Sequence, residues 1–129
     1  MFKENIMAAL QIPSKAEELE QLKKNWLAVQ THFEEQFDEK PDLETILFLI
    51  GVQELGKGPQ KFSKDQKMDL THVGVCKLLS LYDFYVLESV DAEGWPHYKV
   101  QTELPVMNLK EQDILLKQAA VEYFKEVLF

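Results

Sequence analysis

The sequence predicts a mainly α-helical fold, a compact four-helix bundle-like domain with one β-hairpin, over about residues 82–102, packed on the helices. Three observations carry that expectation. Apolar residues recur at steps of three and four in segments opened by helix-capping tetrads, and the stretch Leu43 to Leu55 is apolar on almost every side. Between Tyr82 and Thr102 the residue types switch to β-formers that bracket a turn. With 129 residues, and no stretch resembling an interdomain linker, the chain predicts one domain spanning 1–129.

Residues 1–12 are apolar enough for a short helix or a docking arm. The first clear helix is predicted from Ser14, where Ser14-Lys15-Ala16-Glu17 has the spacing for reciprocal capping of free amides, and its end is marked by Pro41. Leu19, Leu22, Trp26, Val29 and Phe33 form one narrow apolar seam along it, flanked by charged residues. Such a seam suits packing inside a bundle or, alternatively, a dimer contact, since it is too short for a free-standing coiled coil.

The second helix is predicted over Leu43 to Leu55, with Asp42 as N-cap and Gly56 as stop. Ile46, Leu47, Phe48, Leu49, Ile50, Val52 and Leu55 point in nearly all directions, which predicts a rod surrounded by protein at the centre of the domain. Gly51 lies inside this helix. A helical glycine costs about 1 kcal/mol relative to alanine and is best tolerated where a backbone or a bulky ring crosses closely.

Gly56-Lys57-Gly58-Pro59 follows a helix and lacks a Gly-Lys-Ser/Thr ending, so it reads as a turn and not as a phosphate cradle. Ser63-Lys64-Asp65-Gln66 is a second capping tetrad, opening a third helix to about Leu81. In the hairpin, Asp91-Ala92-Glu93-Gly94 is the predicted turn, with glycine at its last position. Pro96 lacks a backbone donor, so the second strand is expected at an edge or after that residue. Asn108-Leu109-Lys110-Glu111 then caps a final helix carrying Leu115, Leu116, Ala119, Ala120, Tyr123, Phe124 and Val127 to the C-terminus.

Composition narrows function more than it names one. Fourteen basic against 22 acidic residues give a net charge of −8, which repels phosphate backbones and anionic membrane surfaces and so predicts neither nucleic-acid nor membrane binding. Every basic residue is lysine, so the planar two-pronged grip of arginine on phosphate or carboxylate is missing throughout. Cys76 is the single cysteine, which excludes an intramolecular disulfide and predicts a reducing, cytoplasmic setting. No apolar run approaches the roughly 20 residues of a membrane span, and the N-terminus lacks a signal-peptide pattern.

Two places carry chemistry. On the third helix, Met68, His72, Val75, Cys76 and Leu79 are predicted to face the core with Asp69 at the margin, which makes His72 half buried. Glu54 falls on the same side of the second helix as Leu43, Leu47 and Ile50. His72, Asp69, Glu54 and Cys76 would together offer mixed nitrogen, oxygen and sulfur ligands acceptable to zinc or iron. Against this stands a neutral core imidazole hydrogen-bonded to Asp69 or to a carbonyl, beside a cysteine that only packs. His72 and Cys76 also have the spacing for a thiol–imidazole nucleophile.

The second place is the hairpin, where Trp95, His97 and Tyr98 are candidates to line a ligand pocket, or simply to fix the hairpin to the helices. The acidic stretch from Glu34 to Glu39 is read as a solvated helix end. The leading expectation is a non-catalytic protein-interaction module that contacts a protein partner or forms a homodimer. Either the first-helix seam or the hairpin edge would be its contact. A metal-dependent enzyme centred on His72 and a small-ligand binder at the hairpin aromatics are the alternatives.

Overall fold

The computed structural model describes residues 12–58 and 60–125, so the predicted N-terminal arm and Val127 fall almost wholly outside the described residues. Within them the order is α1 (Ala16–Phe37), α2 (Leu43–Leu55), α3 (Lys64–Ser80), β1 (Tyr85–Val90), β2 (Pro96–Val100) and α4 (Leu109–Tyr123). The fold is mainly α with a two-stranded antiparallel hairpin against a helix, as predicted. Contacts gather into two compact units, residues 12–41 with 104–125 and residues 42–103.

The first unit pairs α1 with α4. The predicted seam of α1 is its packing face, for Leu22, Trp26 and Val29 are buried, with Leu19 and Phe33 half buried at the ends. From α4 come Leu115, Ala119, Ala120 and Val121. The Lys117 ammonium lies 5.5 Å from the Trp26 ring centroid, and Phe33 and Phe124 meet edge to face at 5.5 Å. The start of α1 differs by one residue from the predicted tetrad. Lys15, not Ser14, is the extended N-cap residue, and its N–H donates to the Glu18 carboxylate at 3.2 Å. The helix ends at Phe37, ahead of Pro41, because Asp38 takes a left-handed conformation with φ of 60°.

The second unit is built on α2 and α3. Asp42 caps α2 by accepting from the Thr45 N–H at 2.9 Å, and this bond holds its carboxyl below the ordinary carboxylate value. Ser63 and Gln66 cap α3 reciprocally, at 3.1 and 2.9 Å. Asn108 and Glu111 do the same for α4 in the other unit, at 2.8 and 3.1 Å. All three caps stand where the sequence places them.

Glycine determines how α2 meets α3. A Cβ on Gly51 would collide with the Leu70 carbonyl, approaching its carbon to 2.6 Å, and a Cβ on Gly74 would collide with the Leu47 carbonyl, approaching its carbon to 2.9 Å. Each glycine therefore seats the backbone of the other helix. The pairing order is reversed between the two, so the helices run in opposite senses. Around this crossing Ile46, Ile50, Leu70 and Leu78 are fully buried. Burying each such side chain contributes about 1.5–3 kcal/mol.

Two expectations about this unit are corrected. α2 is not enclosed on every side, since Phe48, Leu49 and Val52 are only half buried while Ile46, Leu47, Ile50, Gly51 and Leu55 form the buried stripe. The inner face of α3 is turned in part from its predicted position. Cys76 and Leu79 are buried as expected, but Leu70, Val73, Gly74 and Leu78 are buried with them, whereas Met68 is 63% exposed and His72 is exposed. At about 100° per residue, His72 lies nearly opposite Leu70, and the glycine crossing selects the Leu70 side.

The chain leaves α3 through Asp83, whose φ of 64° is left-handed, and arrives at Phe84, which is 3% exposed. The Phe84 N–H donates to Leu79 O at 3.1 Å, and its carbonyl accepts from the N–H groups of Gln101 and Thr102 at 2.8 and 3.2 Å. Phe84 thus ties both legs of the hairpin to the end of α3.

Candidate functional site

The residues proposed as metal ligands do not come together as one set. His72 and Asp69 are exposed, Cys76 is buried, and Glu54 lies 3.7 Å from the Lys77 ammonium. Among the described residues, no group of three or more His, Cys, Asp or Glu side chains is placed to hold a metal ion, so zinc or iron finds no three-ligand set here. The reason is the rotation of α3, which turns His72 outward.

His72 and Cys76 do meet, with Nε2 3.5 Å from Sγ. Burial pushes the Cys76 thiol above its ordinary value, which favours the neutral thiol and disfavours the thiolate a nucleophile requires. Tyr98 faces the same neighbourhood. Its hydroxyl is pushed up chiefly by burial, then by the negative charge of Glu54 and by Cys76.

The hairpin register separates Tyr98 from His97. The ladder pairs Tyr85 with Val100, Val86 with Lys99, Leu87 with Tyr98, Ser89 with His97 and Val90 with Pro96. Alternation along β2 puts Pro96, Tyr98 and Val100 on one face and His97 and Lys99 on the other. Tyr98 therefore looks toward the helices while His97 looks away. Trp95 is half buried at the turn, and its backbone N–H donates to Asp91 Oδ1 at 3.0 Å. A groove of about 540 Å³ in this unit is lined by Phe48, Leu49, Val52, Gln53, Phe62 and adjoining loop residues, and by none of the three aromatics proposed for a ligand.

What the register assembles instead is an apolar surface. One extra residue, Glu88, bulges from β1 between Leu87 and Ser89. Three residues apart, Leu87 and Val90 would sit on opposite faces of a regular strand, but the bulge restores both to the face of Tyr98. Val100 joins them there through its pairing with Tyr85. These three side chains are 49%, 57% and 60% exposed. The described sheet has only two strands, so each has an outer edge without a strand beside it. The sequence marks Val90 and Val100 as β-formers but contains no signal for the bulge that gathers them with Leu87.

The tip of the hairpin is held by Asp91. Its carboxylate accepts from the backbone N–H groups of Glu93 and Trp95 at 2.9 and 3.0 Å, and its other oxygen lies 2.9 Å from His97 Nε2. Gly94 closes the turn with φ of 89°, where the sequence places a glycine. The hydrogen bond with His97, followed by those from the backbone, lowers the Asp91 carboxyl below its ordinary value. A group depressed in the folded state stabilises the fold above its unfolded pKa, and that stability is lost as pH falls through the folded one. Asp91→Asn is therefore expected to lower the thermal midpoint at neutral pH. The gap from wild type should close as pH is taken below about 4, the ordinary aspartate value. A gap that stays constant from pH 7 to pH 2 would contradict this role.

No protein-family model matches the chain, and neither a curated protein nor a solved structure is found to be similar to it. No helix among the described residues is long and apolar enough to cross a membrane.

Proposed function

We propose that the chain is a non-catalytic protein-interaction module whose contact surface is the β1–β2 hairpin. The observation that carries this reading is the set of Leu87, Val90 and Val100, three large apolar side chains that lie on the same sheet face as Tyr98 and yet stay about half or more exposed, in a described sheet of only two strands. Apolar side chains gathered and left exposed on one small surface suit a patch that a partner covers. A reducing cytoplasmic setting agrees with the one cysteine, which is free and buried. The net charge of −8 continues to argue against nucleic acid and anionic membranes as the partner.

Position-specific photocrosslinking tests the reading. A photoreactive side chain at Val90 should give a discrete protein adduct in native cells, and one at the equally open Met68 of α3 should not. The adduct should vanish when Leu87 and Val100 are changed to serine. Equal labelling from both positions, or none from Val90, would refute the hairpin as the contact.

A further inference from the structure

The charge around this surface indicates the chemistry of what covers it. Between Asp83 and Glu103 the hairpin and its flanks carry Asp83, Glu88, Asp91, Glu93 and Glu103 against Lys99, all six exposed, and the Lys57 side chain lies beside Gly94 at the turn, which leaves the surface with an acidic excess. A second copy of the chain would set acid against acid, whereas a cationic segment would meet opposite charge along its length.

The two edges are also unequal. Lysine and proline are the residues that most often blunt a sheet edge, and here both lie on β2, as Lys99 and Pro96. β1 has neither. Its last four residues, Leu87 to Val90, are exposed, with Glu88 within the run and Asp91 directly after it. The bulge at Glu88 interrupts the ladder, so an added strand could pair there only over a short run.

Resting on the hairpin as the protein contact, we propose that β1 accepts a short, extended, cationic segment of a partner protein as an added strand. Alternation along such a segment places every second side chain on each face. Its apolar side chains would extend the surface of Leu87 and Val90, and its lysines or arginines would approach Glu88 and Asp91. Main-chain pairing with the β1 edge supplies the attachment, and the side chains supply the selectivity.

Calorimetric titration of the full chain tests this with two capped peptides at 0.15 M salt, one alternating valine with lysine, the other valine with glutamate. The lysine peptide should bind at least tenfold more tightly. Glu88→Lys should remove most of that preference, and Leu87→Ser with Val90→Ser should weaken binding by tenfold or more while the circular dichroism spectrum is kept. Lysine-peptide binding unchanged in both variants would overturn the proposal, since it would be only general attraction to an acidic chain. Equal binding of both peptides, lost in the serine variant, would overturn the cationic preference and leave the hairpin contact standing. No binding of either peptide would overturn strand addition, while crosslinking from Val90 would still decide the contact itself.

Discussion

Replacing Gly51 with alanine is expected to destabilise the protein by about 2 kcal/mol, in the opposite direction to helix propensity. Propensity alone favours alanine at an interior helical position by about 1 kcal/mol. The new methyl, however, would enter the space of the Leu70 backbone carbonyl, which no side-chain rotation can clear. Overpacking of a rigid contact costs about 1–3 kcal/mol, and occasionally more. Gly74→Ala should behave alike, because it meets the Leu47 carbonyl across the same crossing. The double variant should lose less than the sum of the two, since one methyl already spreads the helices for the other. Denaturant midpoints measure all three. A stabilising effect of either single change would show that the helices do not approach as described.

Phe84→Ala is expected to have the larger effect, about 3–5 kcal/mol, the usual cost of emptying a buried phenylalanine site. Phe84 is 3% exposed and stands where the left-handed Asp83 turns the chain from α3 into β1. Loss of the ring removes the anchor while leaving its backbone bonds to Leu79, Gln101 and Thr102. Amides of residues 85–100 should therefore exchange faster than those of α2 and α3, whose glycine crossing is separate from the ring. A loss below about 1 kcal/mol, or uniform acceleration across the chain, would mean that Phe84 is not the hairpin's attachment.

The elements of this fold were legible because their signals are local. Asp42, Ser63 and Asn108 each cap the helix they were expected to cap, since a cap depends on a side chain and an N–H only a few residues away. The turn at Asp91–Gly94 was legible for the same reason. Rotation of α3 was not, because it carries apolar residues around much of its circumference and the choice of inner side belongs to a second helix. Gly51 pointed to a close backbone, but its counterpart Gly74 has meaning only once Leu47 is seen above it. That ambiguity places His72 inward, whereas it is exposed beside a Cys76 that is buried as expected, and no three of the expected ligands meet. The gathering of Leu87, Val90 and Val100 was hidden further, for a bulge is a relation between two strands and leaves no mark in either alone.

The central claim is that the β1–β2 hairpin, and not another surface, is where a partner sits. Amide hydrogen exchange across the full chain, with and without the partner recovered by crosslinking from Val90, addresses it directly. Protection on binding should be concentrated in residues 85–100 and strongest along Leu87 to Val90. Protection confined to the helices, with the hairpin amides exchanging unchanged, would contradict the account.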